Sequence, residues 1–249
     1  MGVLTVGVDL AAEPVRTALA TVAWDGGTAV ITELIRGAGD DVILAALADA
    51  DKAGIDCPLG WPAAFVTFLT DHQAGHVAIP GDLTGQQWRR QLAWRLTDEV
   101  VRQQTGLIPL SVAADRIGHA AMRCAGLLAK LASQGRPVDR GGAGAVVEVY
   151  PAASLKCWGL AYRGYKQPRN AQARGALMDD LQAAAPWLAP GRYQGLCRTS
   201  HDAIDAVVAA LTARAAAQGQ ATRPDDKQEA VARSEGWIAL PTAPLIGLA

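Results

Sequence analysis

The pattern that most constrains this chain lies in its first 58 residues: three strand-like segments, a helix, and a fourth strand stopped by proline. Residues 3–10 alternate apolar side chains with Thr5, Gly7 and Asp9, a period of two that reads as a strand. Residues 15–24 are rich in β-branched and apolar types. The turn Asp25-Gly26-Gly27 then leads into a third segment over residues 28–35. Asp40 and Asp41 open a helix over residues 40–50, with Val42, Leu44 and Leu47 available for one face. Gly54-Ile55-Asp56-Cys57-Pro58 follows as a short strand that must end at Pro58. A helix between two strands implies a right-handed crossover, so the fourth strand should lie parallel beside the first.

The rest of the chain adds helices and one more strand. Residues 60–140 read as a helical insertion. They contain a loop over 71–85, a helix over 86–104 carrying Trp88, Leu92, Leu96 and Val100, and a break at Gly106 and Pro109. A second helix over 114–133 puts Ile117, Ala121, Cys124, Leu128 and Leu131 on one stripe. Residues 146–151 form a fifth strand. A helix over 170–185 ends at Pro186, and Thr199 or Ser200 caps a last helix that runs to about 217. After a polar stretch over 218–229, Glu235-Gly236-Trp237-Ile238 should return to the core. At 249 residues and about half apolar, the chain is expected to form one α/β domain over 1–249. Its core would be a mixed five-stranded sheet with flanking helices.

Composition excludes several classes. Cys57, Cys124, Cys157 and Cys197 form no C-x-x-C pair, so neither a zinc knuckle nor a disulfide framework is indicated, and buried free thiols are expected. No apolar run reaches the ~18 residues of a membrane span. The N-terminal segment reads as a strand rather than a signal peptide, so a cytoplasmic protein with no membrane partner is expected. The abundance of Ala and the excess of Arg over Lys are read as genomic bias. A net charge of −1 argues against grip on nucleic acid by charge alone. Yet residues 156–175 carry Lys156, Arg163, Lys166, Arg169 and Arg174 with no acid, interleaved with Trp158, Tyr162 and Tyr165. That stretch is either a solvated face or a surface for phosphates and bases, with Lys166 and Arg163 the candidate contacts.

The most informative residues are acids where a core disfavours them. Asp9 lies inside strand one, Asp56 ends strand four, and Glu148 interrupts a valine-rich strand five. Asp202 and Asp205 share one face of the last helix. Each has a plainer explanation: a turn cap for Asp9, loop amides for Asp56, an Arg of the insertion for Glu148, and the helix dipole for Asp202. Asp205 is harder to dismiss, because Ala206, Val207 and Val208 follow it. Ionised carboxylates buried together need cations. Oxygen-only ligands suit Mg²⁺ or Mn²⁺, and two such ions about 4 Å apart can drive phosphodiester cleavage.

The ordered strings GVDLA (7–11), GIDCPLG (54–60), RLTDE (95–99), VVEVYP (146–151), Tyr165-Lys166 and SHDAIDAVVAA (200–210) resemble the DUF429 family of predicted ribonuclease H-like nucleases. The last string is also similar to the D-x-x-D-A helix of Holliday-junction resolvases. The resemblance spans nearly the whole chain and implies metal-binding, catalytic roles for Asp9, Asp56, Glu148, Asp202 and Asp205. Cys57 stands where the family pattern often has Ala.

The expected function is therefore metal-dependent hydrolysis of nucleic acid, DNA or RNA. Asp9 would bridge two ions, Asp56 and Asp205 would complete the ligand set, and Glu148 and Asp202 would join or support it. His201 either assists proton transfer or is an ordinary residue at a helix start. Arg95 and Asp98, spaced i, i+3, are either a phosphate clamp with its orienter or an intrahelical ion pair. An ATP-dependent phosphotransferase of the actin and sugar-kinase type shares the strand order. However, Leu-Ala-Ala-Glu-Pro after Asp9 offers no glycine for a phosphate loop. A non-catalytic nucleic-acid-binding protein of the same fold is the other alternative, and an idle cluster of negative charge speaks against it.

Overall fold

The computed structural model describes residues 2–136, 138–167 and 169–249. The elements run β1 (Val3–Asp9), β2 (Ala18–Asp25), β3 (Thr28–Arg36), α1 (Asp40–Asp49), β4 (Lys52–Asp56), α2 (Ala63–Ala74), α3 (Gly85–Ala93), α4 (Leu96–Thr105) and α5 (Gly118–Ser133). Then come β5 (Val146–Glu148), α6 (Pro151–Cys157), α7 (Ala171–Ala184), β6 (Leu188–Ala189), α8 (Gln194–Thr199), α9 (His201–Ala217) and α10 (Glu229–Glu235).

The sheet is mixed, in the order β5-β4-β1-β2-β3-β6. β1, β2 and β3 are antiparallel neighbours, whereas β4 lies parallel to β1 and β5 parallel to β4. The β2–β3 hairpin closes on Gly26 and Gly27, both at positive φ (54° and 79°), the backbone that a two-residue turn demands. Five strands were expected, and the described residues form a sheet of six. β6 adds only two residues, paired to Ala29 and Val30 at the sheet edge. Two residues are too few to leave a periodic signature.

The sheet separates two layers of core. On one face Val6, Val8, Leu19 and Ile55 meet Ile43 and Leu47 of α1 and Cys124, Leu127 and Leu131 of α5. On the other, Ala18, Ala20 and Val22 of β2 meet Leu177 and Leu181 of α7 and the body of α9. Cys57, Cys124 and Cys197 are buried free thiols, while Cys157 is exposed, unlike the expectation for all four.

The stretch 60–140 departs most from the sequence reading. Helix α2 covers residues given no element in the sequence reading and the first four of the expected loop, and it ends at Gly75 in the left-handed conformation (φ 74°). The single helix expected over 86–104 is two, because Trp94 and Arg95 are both extended. That break turns the Arg95 side chain inward, where it is only 1 % exposed. α5 begins at Gly118 rather than 114, since Asp115 is held back in a turn by the Ser111 amide (2.7 Å). Helices α2 and α3 bury no residue and lean on each other through Phe68 and Trp88, ring centroids 5.8 Å apart.

Helix α9 lies unusually close to the sheet, and glycines permit it. Gly7 and Gly54 are register partners on β1 and β4. A Cβ at Gly7 would stand 1.9 Å from the Ala206 carbonyl oxygen, and one at Gly54 2.4 Å from that of Ala209. Small residues on both surfaces thus bring the helix backbone onto the strands. Among the described residues no helix is long and apolar enough to cross a membrane.

Candidate metal centre

Strand register creates the centre. In the parallel pair β1–β4 the partner of Asp9 is Asp56, so two carboxylates stand side by side at the carboxyl ends of adjacent strands. Above them α9 begins at Ser200, whose Oγ accepts from the Ala203 amide at 3.3 Å. Asp202 and Asp205, on one face of that first stretch of helix, descend toward Asp9 because Gly7 and Gly54 let α9 approach.

Asp9, Asp56 and Asp205 each offer an oxygen, all within 4.8 Å of one another. Asp9, His201 and Asp202 offer a second set of ligand atoms within the same span. Asp9 belongs to both. The donors are carboxylates with one imidazole, which fits a hard divalent cation. Of the five acids expected to gather, the fold brings these four together.

The cluster is electrostatically strained when only protein charges are present. Burial, then the charges of Asp205 and Asp56, pushes the Asp9 carboxyl well above the usual carboxylate range. Burial raises Asp56 to about 7, with Lys166 pulling it down and Asp205 pushing it up. Lys166 Nζ sits 2.7 Å from Asp205 Oδ2, and the Tyr165 phenol donates to Asp205 Oδ1 at 2.7 Å. Burial by itself would lower the Lys166 ammonium, but Asp205, Asp56 and Asp9 outweigh it and hold it charged. Burial, followed by Asp205, holds the phenol of Tyr165 protonated far above its ordinary range. His201 Nδ1 lies 2.9 Å from Asp202 Oδ1, and Arg36 stands 3.8 Å from Asp202 Oδ2.

Glu148 does not join the group. Its carboxylate, 2 % exposed, takes a bidentate pair from Arg95 (2.7 and 2.8 Å) and the Leu59 amide (2.9 Å). The expected ligand role is corrected accordingly: an Arg of the inserted helices neutralises this acid. Arg95 is corrected too. Its Nε donates to Asp98, Nη1 to Glu148 and the Glu235 carbonyl, and Nη2 to Asp98 and Glu148. A guanidinium has five N–H donors, so none is left for substrate. Burial opposes its charge, but Glu148 and Asp98 hold it firmly protonated.

A pocket of about 480 Å³ opens over the acids, with Asp9, Asp56 and Lys166 in its lining. Arg163, expected to contact substrate, lines it as well. Sequence reading missed Arg116, which lines the same pocket from the turn before α5. It missed Glu235 too, whose carboxylate accepts from the Ala63 and Leu96 amides at the starts of α2 and α4 (both 2.8 Å). A buried anion serving two helix N-termini leaves no local signature in sequence.

No curated protein and no solved structure matches the chain. A family match does cover residues 7–229, from the glycine before the first acid motif through the whole of α9. The chain therefore belongs to DUF429, a family described as protein of unknown function.

Proposed function

We propose that this protein is a ribonuclease H-like nuclease, hydrolysing phosphodiester bonds of nucleic acid with Mg²⁺ or Mn²⁺. One observation carries the reading: two sets of ligand atoms, each within 4.8 Å, share Asp9. The strand order β5-β4-β1-β2-β3, antiparallel on one side of β1 and parallel on the other, is the order such a fold asks for.

A pair of divalent cations held here would supply a nucleophilic water and stabilise charge on the leaving oxygen. Asp9 would serve both ligand sets, with Asp56 and Asp205 completing one and His201 and Asp202 the other. Tyr165 fixes the orientation of Asp205 through its hydrogen bond. Lys166 balances part of the negative charge, and its half-exposed side chain can swing from Asp205 toward a phosphate.

Metal titration and cleavage assays test the reading together. Mn²⁺ should raise the melting temperature of the wild-type chain, and labelled DNA or RNA should be cut only in its presence. Asp9→Asn should abolish both responses. Cleavage that survives Asp9→Asn, or that needs no divalent ion, would sink the proposal.

A further inference from the structure

The pocket above the acids has a shape and a charge pattern that suit one nucleotide better than a duplex. Its volume, about 480 Å³, lies within the range of roughly 300–1,000 Å³ typical of small-molecule sites. The acids form its floor. Its lining also takes Pro109, Leu110, Arg116 and Ile117 from one segment and Tyr162 and Arg163 from another. A phosphate at Asp9 therefore shares one pocket with both segments.

Of the four cations in the pocket lining, the two without a carboxylate partner lie on those two segments. Arg95 is saturated by Asp98, Glu148 and the Glu235 carbonyl, and Lys166 is paired with Asp205. Among the described residues neither Arg116 nor Arg163 has a carboxylate partner. The Arg163 guanidinium lies 5.2 Å over the Tyr162 ring, a flat cationic surface on which a base can stack. Leu110 in the lining, and Ile108 two residues before it, are exposed apolar side chains, whereas a duplex-binding cleft would carry a basic track. The net charge of −1 supplies no general attraction for a long polyanion.

We infer that the pocket is a one-nucleotide subsite, receiving the terminal nucleotide of a single strand between Arg116 and Arg163. The inference rests on the nuclease reading for its chemistry. One water is consumed per turnover. Its oxygen bonds to phosphorus as the P–O bond toward the rest of the strand breaks. The leaving oxygen takes up a proton, and a mononucleotide is released. A continuous duplex, or a strand without an end, cannot present its backbone to the floor without first being unstacked or bulged.

Two measurements on the full chain test this. The first is equilibrium binding of thymidine 5′-phosphate in the presence of Mn²⁺, to the wild type and to the double variant Arg116→Ala/Arg163→Ala. Both arginines are exposed, so the variant should melt like the wild type yet bind at least about tenfold more weakly. Absence of saturable binding, or equal binding by the variant, overturns the subsite. The second compares Mn²⁺-dependent cleavage of a short linear single strand, the same strand circularised, and its blunt duplex. The linear strand should be shortened from an end to mononucleotides, with the other two at least about tenfold slower. Comparable rates on the circle or the duplex overturn the subsite and leave the nuclease reading standing. Mononucleotide binding that depends on both arginines, with no strand cleaved, supports the subsite and sinks the nuclease reading instead.

Discussion

Two groups of buried charge line the same pocket and are built in opposite ways. Around Arg95, one guanidinium serves two carboxylates and all its N–H groups are used: Asp98 and Glu148 accept from it, and the Glu235 carbonyl takes the remaining N–H. Around Asp9, four acids converge on one lysine, one histidine and a distant arginine. The first group joins the start of α4 to β5 and the chain before Trp237, so it holds the inserted helices to the sheet. The second has more acids than cations within reach, and beyond burial, which raises Glu148 as well, its carboxyls are pushed up by one another. Satisfied buried charge points to architecture.

Removal of one partner should separate the two groups most sharply. Arg95→Ala leaves Glu148 and Asp98 buried without a counter-charge, at a cost of about 3–5 kcal/mol, read by chemical denaturation. Asp56→Asn should do the reverse in metal-free protein above pH 7. It deletes a charge that burial disfavours, so the melting temperature rises, while the Mn²⁺-induced shift disappears. Activity should fall by more than the roughly 10–100-fold typical of losing an outer-shell partner. A destabilised, still metal-responsive Asp56→Asn protein would erase the distinction between the groups.

Smaller changes sharpen it. Gly7→Ala would press a methyl group against the α9 backbone and should cost about 1–3 kcal/mol, weakening metal response as Asp205 is displaced. Tyr165→Phe keeps the ring but removes the hydrogen bond to Asp205. Metal affinity should drop by about tenfold, the low end for outer-shell partners, with little change in fold. The pH response is expected to be gentler still. Asp56 ordinarily titrates near 3.8 but near 7 here, so its folded form binds the proton more tightly than the unfolded chain does. Its contribution is full below pH 3.8 and is lost as pH rises through 7. The metal-free melting temperature should therefore decline across that window, and saturating Mn²⁺ should flatten the decline.

Periodicity alone determined much of this protein. The alternation in residues 3–10, the Asp25-Gly26-Gly27 turn and the proline after Asp56 were enough to place β1 through β4, because these signals are local and steric. The motif acids Asp9, Asp56, Asp202 and Asp205 were equally legible, since charge inside an apolar pattern stands out in one dimension. What Glu148 does was decided elsewhere, by an arginine 53 positions away that local spacing could not connect to it. The alanines of α9 were read as compositional bias. In three dimensions Ala206, Ala209 and Ala210 are the surface that meets Gly7 and Gly54. Spacing along the chain reports which side chains share a face of one element. The distance between two elements depends on the sizes of residues from both, and only the folded chain sets those side by side.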